Sequence, residues 1–447
     1  MNGFAHAALA SVSVSGHSGS SSLTVRILLA VIFVGLIALL FALRSHRILQ
    51  LSVAVPAILI TAFFEVRAQI SAGMREPQRT HLVPKAPTAC LTSRADNPTA
   101  DLAPLSEAED LGYPTKTLNR IEVRDLLIDA SYDALDSMLT AYSDSARRDF
   151  RFEYRMIDAF GAFSTAATTF EPFLDDWVLT RPSSGNALLV RATYYIAAGW
   201  HARGAASMRN TSFGQVMGAQ GYLTRALADL TGALRLLPCS VVAYKGLMTI
   251  ANYFGDTAMS RAAMDQALLI QPYSFVVREE HMLNLRPRWG GSYEAMELLA
   301  QAADTLSTWN PRLRVLHGFA DLDQADLAVR EKETGRALEL YQHALSFGDF
   351  WRFRFERGQL HHWMGRDEQA LADLERALVQ RPQYPDLLDR LASAKYELGR
   401  YARGSEQHRL FYEAYGDESL AALLDPADED FQKSMAFYKE SIPEYAH

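Results

Sequence analysis

The residue types in this chain that could do chemistry are its histidines, one run of acids and two cysteines. His361 and His362 with His343 raise the question of a metal site. Adjacent helical residues point about 100° apart, so His361 and His362 cannot grip one ion together, and no His-Glu-x-x-His arrangement supplies further ligands. Glu279-Glu280-His281 reads as a solvated helix face. Gly290-Gly291-Ser292 is too short to cradle a phosphate and lacks a following Lys, and no Gly-x-Ser-x-Gly elbow, Walker loop or Rossmann fingerprint occurs. Cys90 and Cys239 are too few for a disulfide framework or a thiolate metal site. They are expected as two unpaired thiols in a reducing compartment, with a Cys90–Cys239 bridge following only if the body is exported. The chain is therefore expected to be no enzyme, and to hold no metal and no cofactor.

The elements that would position such groups are helices. Among 447 residues 49% are hydrophobic, with Leu and Ala dominant, and β-branched residues beyond the first seventy seldom alternate with polar ones. Pro238 and Pro272 lie 34 residues apart, as do Gly221 and Gly255, and Gly365 and Gly399. That offset, with proline closing each helix pair, is the tetratricopeptide spacing. The clearest unit runs from Trp351 to Tyr384, with Gly358 at the close helix crossing, Gly365 ending the first helix, Ala370, Leu374 and Ala377 striping the second, and Pro382 stopping it. Looser copies cover 385–418, a unit starting near 318, and units closing at Pro272 and Pro238. About three more amphipathic helices over 120–181 read as degenerate N-terminal units. The fold class is all-α, a tetratricopeptide-like α-solenoid. Since one helix pair cannot bury its apolar face, stacked neighbours share a core and leave a concave groove.

A second signal precedes the body. Residues 27–43 are wholly apolar or glycine, and extended back to Leu23 they make a helix of about 30 Å that spans a bilayer. A second apolar run over 48–64, broken by Gln50, Ser52 and Pro56, completes a hairpin or lies at the interface. Seven basic groups (Arg26, Arg44, Arg47, Arg67, Arg75, Arg79, Lys85) face two acidic ones (Glu65, Glu76) in residues 1–90, so the net charge of −8 is carried entirely by the rest of the chain. Positives following the span place the body in the cytoplasm, at a bacterial inner membrane. An acidic body without a basic stripe argues against nucleic acid as partner. The chain divides into a disordered N-terminus at 1–22, an anchor at 23–70 with helices over about 23–44 and 48–68, a flexible linker at 71–117, a helical domain at 118–310, further repeats at 311–420 and a tail at 421–447.

Two motifs escape the period: Gly199-Trp200-His201-Ala202-Arg203-Gly204 and Pro287-Arg288-Trp289-Gly290-Gly291-Ser292. With Trp177 and Pro182 ahead of them, they resemble a bacterial family of tetratricopeptide-like domains with no assigned function, over roughly residues 120–310. The resemblance implies fold and no activity. Trp200 and Trp289 are expected to plug gaps between helices, with Gly290-Gly291 making a left-handed turn and Ser292 capping the next helix. A small-molecule-binding or hydrolytic pocket uniting Arg203 and Arg288 is the alternative.

In the resembled fold the groove is lined by the second, fifth, ninth, twelfth and thirteenth positions of each first helix. Those positions hold Val242, Lys245, Thr249, Asn252 and Tyr253 in one unit, Arg352, Phe355, Gln359, His362 and Trp363 in another, and Asp386, Asp389, Ser393, Tyr396 and Glu397 in the last. Aromatic anchors among amide and charged groups suit an extended peptide. The expected function is a membrane-anchored scaffold or adaptor binding a protein or peptide partner through its concave surface, with a periplasm-facing envelope scaffold as the other reading.

Overall fold

The structure, a computed structural model, describes residues 79–91, 120–165, 167–204 and 210–442, all within one compact unit, Pro77–His447. The apolar stretches assigned to the membrane anchor lie outside the described residues. Among the described residues no helix is long and apolar enough to cross a membrane.

Seventeen α-helices and no strand occur among the described residues. The first four are α1 (Arg120–Ile128), α2 (Tyr132–Arg148), α3 (Glu153–Gly161) and α4 (Glu171–Thr180). Antiparallel pairs follow: α5 (Gly185–Arg203) with α6 (Phe213–Leu236), and α7 (Val241–Phe254) with α8 (Thr257–Ile270). α9 (Phe275–Asn284) and α10 (Tyr293–Asp304) are shorter and splayed. Pairing resumes with α11 (Gly318–Arg330) and α12 (Thr334–Ser346), α13 (Trp351–Trp363) and α14 (Asp367–Gln380), and α15 (Pro385–Tyr401) and α16 (Ser405–Leu424). α17 (Glu429–Glu440) packs on α16 within the stretch set apart as a tail.

The links between pairs explain the period physically. Pro182, Pro238 and Pro272 each stop a helix, and two residues later Ser184, Ser240 and Ser274 accept a backbone N–H at the start of the next. Within pairs, Gly255 and Gly365 take left-handed conformations that end the first helix. The 351 unit follows its sequence plan, with Ala370, Leu374 and Ala377 fully buried. A Cβ on Gly358 would sit 2.9 Å from the Leu374 side chain. Gly358→Ala is therefore expected to cost about 1–3 kcal/mol by overpacking this crossing, read as a lower midpoint in thermal unfolding with unchanged helix content.

Three expectations are corrected. The first concerns the N-terminal helices, which number four and do not simply extend the stack. α3 lies against α5 and α9, and α1 reaches the C-terminal end of α16. Glu153 on α3 accepts the backbone N–H groups of Phe275 and Val276 at the start of α9 (3.1 and 3.0 Å). Arg120 donates to the carbonyls of Gln383 and Gly161, and Arg124 to those of Ala162 and Leu423. Cations thus sit on the carbonyls that end α3 and α16, where helix dipoles favour them. The inner side that stacking alone leaves hollow is in part filled by the chain's own helices.

The second correction concerns the cysteines. Cys90 and Cys239 form a disulfide, with Cα atoms 5.3 Å apart, in place of two unpaired thiols. Both are brought to the α6–α7 link by a contact across 149 residues, which no local pattern could reveal. The third follows from it. Residues 79–91, assigned to a flexible linker, are a strap docked on α7 and α8. Tyr244 donates to the Pro84 carbonyl, the Ala86 N–H donates to Gln266, and the Arg79 guanidinium lies 4.1 Å above the Phe254 ring.

Candidate ligand cavity on the inner face

Closure by α1 and α3 turns part of the inner side into a cavity of about 500 Å³. α7 contributes Val242, Lys245 and Thr249, its second, fifth and ninth residues, and α13 contributes its second, Arg352. α9 adds Val276, Glu279, Glu280 and Leu283; α3 adds Tyr154 and Asp158; Arg381 and Tyr384 come from the α14–α15 link. Arg120, Trp351, Asp386, Asp425 and Asp428 are also in the lining.

The charges of this cavity are only partly matched. Lys245 Nζ stands 2.5 Å from Glu280 Oε2, and the Thr249 hydroxyl donates to Glu280 Oε1. Burial works to raise the Glu280 carboxyl, but Lys245 and Thr249 outweigh it and hold the group below its ordinary range. Arg381 pairs with Asp158 at 2.8 Å. Among the described residues Glu279 accepts only from the Tyr154 hydroxyl, at 3.0 Å, and burial pushes its carboxyl up against the pull of Arg352 and Lys245. Arg352 makes no ion pair or hydrogen bond among the described residues; its guanidinium carbon lies 5.1 Å from the centre of the Trp351 ring.

The acidic run on α9 is thus a correction. Glu279-Glu280-His281, expected to be solvated, is buried throughout. α9 is sandwiched by α3 and α7 on one side and α8 on the other, so it has no free face. The glutamates meet the cavity, while His281 Nδ1 contacts the buried Ser260 hydroxyl at 2.8 Å on the far side. The signal was present in the apolar residues flanking them, Val276, Val277 and Met282.

The groove residues read from the sequence do not share one surface. Val242, Lys245, Thr249, Arg352 and Asp386 line the cavity. Asn252 is buried, and Tyr253 is buried with its hydroxyl on the Val216 carbonyl. Phe355 packs between Trp351 and Tyr384. Gln359 donates to Glu356, and His362 Nδ1 lies 2.6 Å from Asp367. Trp363 is 60% exposed. Tyr396 stacks on Phe411 and meets Phe437 and Tyr438. Side-chain length and neighbouring helices, rather than helix position alone, decide which of them reach the inner space.

The two tryptophan motifs meet in space. The Trp200 and Trp289 rings pack edge to face at 5.8 Å, Trp200 also meets Tyr253 at 5.7 Å, and the Arg203 guanidinium lies over both indoles at 5.6 and 5.7 Å. Arg288 turns instead to Asp323 and Asp326 on α11. The cluster is a packed joint between α5, α7 and the α9–α10 turn, and no described cavity unites Arg203 with Arg288. Gly204 and Gly290 hold positive φ, a Cβ on Gly291 would strike the Leu285 carbonyl, and Ser292 caps α10. His343 contacts Asp321, and among the described residues no group of three or more His, Cys, Asp or Glu side chains is arranged to hold a metal ion.

Comparison with known proteins adds a family for part of this architecture. A family model described as a domain of unknown function, DUF4034, matches residues 119–259. The match starts one residue before α1, takes in the Trp200 motif and stops within α8, short of the Trp289 motif. No curated protein matches the chain. Among solved structures, a monomeric mutant of IFIT1 with m7Gppp-AAAA aligns at 11% identity with a TM-score of 0.29, covering 64% of this chain and 66% of that one.

Proposed function

We propose that this chain is a membrane-anchored helical-repeat scaffold that holds a protein or peptide partner on its inner face. The observation that carries the reading is the convergence of charged and aromatic side chains from three repeats, α7, α9 and α13, on one inner space of the stack. Buried polar groups ordinarily find partners within a chain, so a lining left partly unmatched is a lining suited to a bound one. The acidic balance of the body favours a basic or mixed-charge partner over nucleic acid.

The side of the membrane is proposed from the cysteines. Flanking cations favour the cytoplasm, by small margins. The Cys90–Cys239 bridge favours an oxidising compartment, and supports the periplasm-facing form of the scaffold. Alkaline phosphatase fused after His447 is expected to be active in cells; an inactive fusion beside an active cytoplasmic reporter at the same place would reverse the assignment. The scaffold role is tested by affinity capture with residues 77–447, comparing the wild type with Arg352→Glu. A partner retained by the first and lost by the second is expected, and capture of nothing reproducible sinks the reading.

A further inference from the structure

The lining of the inner cavity holds two opposite charges, Arg352 and Glu279, that are not partners. Among the described residues no ion pair or hydrogen bond joins them. Each is anchored from behind, Glu279 by the Tyr154 hydroxyl and Arg352 by the face of Trp351. The surrounding cations are otherwise engaged: Lys245 by Glu280, Arg381 by Asp158, and Arg120 by backbone carbonyls. A guanidinium and a carboxylate held apart on one cavity wall each keep hydrogen-bonding capacity open to a ligand.

Arg120 of α1 and Tyr154, Asp158 and Gly161 of α3 form one wall of the cavity. Its volume of about 500 Å³ falls within the range of small-molecule sites. We propose that it binds a free α-amino acid, whose carboxylate takes the Arg352 guanidinium and whose ammonium takes Glu279. An α-amino acid carries both charges on one carbon, which suits two neighbouring groups that do not touch. Planar carboxylate recognition is what an arginine fork does best. Once these charges are matched, Asp386, Asp425 and Asp428 leave the rest of the lining acidic. A basic side chain is favoured. This site is separate in consequence from the scaffold role: a chain that captures no protein can still bind the amino acid, and the converse holds.

The test is titration calorimetry on the full chain in detergent with L-arginine, agmatine, which lacks the carboxylate, and Nα-acetyl-L-arginine, which lacks the ammonium. L-arginine is expected to bind one per chain, and each analogue to bind roughly tenfold or more weakly. Arg352→Gln is expected to erase the preference for L-arginine over agmatine, and Glu279→Gln the preference over Nα-acetyl-L-arginine. Arg352→Lys, which keeps the charge and loses the fork, should retain part of the affinity, and circular dichroism checks that every variant is folded. Absence of heat with L-arginine, L-lysine and L-glutamate alike overturns the proposal, as does binding of agmatine as tight as that of L-arginine.

Discussion

Reduction of the Cys90–Cys239 bridge is expected to lower the thermal unfolding midpoint of residues 77–447 by about 5 °C or more. The crosslink closes 149 residues of chain, and loop-closure entropy for that separation corresponds to about 3–5 kcal/mol of stabilisation, at roughly 2 °C per kcal/mol for a body of this size. The strap it holds carries its own contacts, Tyr244 to the Pro84 carbonyl and Arg79 over Phe254. These loosen together once the covalent tie is gone. Scanning calorimetry with and without dithiothreitol checks the prediction, with Cys90→Ala/Cys239→Ala as the control that must start at the lower midpoint and ignore the reductant. Equal midpoints for oxidised and reduced wild type would mean that the strap contributes nothing to the folded body.

Stability is expected to fall as pH rises from about 5 to about 8, and Glu418→Gln is expected to remove much of that fall. Glu418 is fully buried and neither of its oxygens has a hydrogen-bond partner in the described structure. Burial, with Asp389 beside it, pushes its carboxyl up to about 8. Burial likewise pushes Glu153 and Glu356 up to about 7, against the amide donors of Val276 and Phe275 in the first case and beside Asp326 in the second. A carboxyl whose pKa is raised by folding keeps its proton in the native state while the unfolded chain releases it. Its stabilisation is complete below the unfolded value near 4.5 and is lost as pH climbs through the native value. His281 and His361 work the other way, since burial lowers the first to about 4 and the second below its ordinary value, so folding is disfavoured where the unfolded imidazoles protonate, below about 6.5. These two protons oppose three from the glutamates, so the net trend stands. Glu418 alone is worth about 2–4 kcal/mol across the window. Denaturant unfolding of wild type and Glu418→Gln should therefore differ markedly at pH 8.5, with the variant more stable, and little near pH 4.5. A variant less stable than wild type at pH 8.5 would show that the carboxylate is solvated or paired in the native protein.

Much of the repeat architecture was legible because its signals are local. Proline and a capping serine two residues later mark each entry to a pair at 238–240 and 272–274, glycine marks the turn inside a pair at 255 and 365, and the Ala370, Leu374, Ala377 stripe declares its buried face. Each depends on backbone conformation and on contacts a few residues apart, which sequence spacing encodes directly. The Gly290-Gly291-Ser292 turn was readable for the same reason.

The cavity was not legible, and the reason is distance along the chain. Rules of helix position alone nominated Lys245 and Arg352 together with Tyr253, Phe355 and Tyr396, which neighbouring helices claim for packing. Glu279 and Glu280 looked solvated because nothing local shows that α3, more than a hundred residues earlier, covers their helix through Glu153 and Tyr154. The disulfide and the strap likewise join segments that share no pattern. The amino-acid sequence by itself determined the helix pairs and their constant step, because caps, turns and apolar stripes act over one or two helices. Only tertiary structure decided that the N-terminal helices turn inward to close the stack, because that choice rests on hydrogen bonds and charges brought together from opposite ends of the chain.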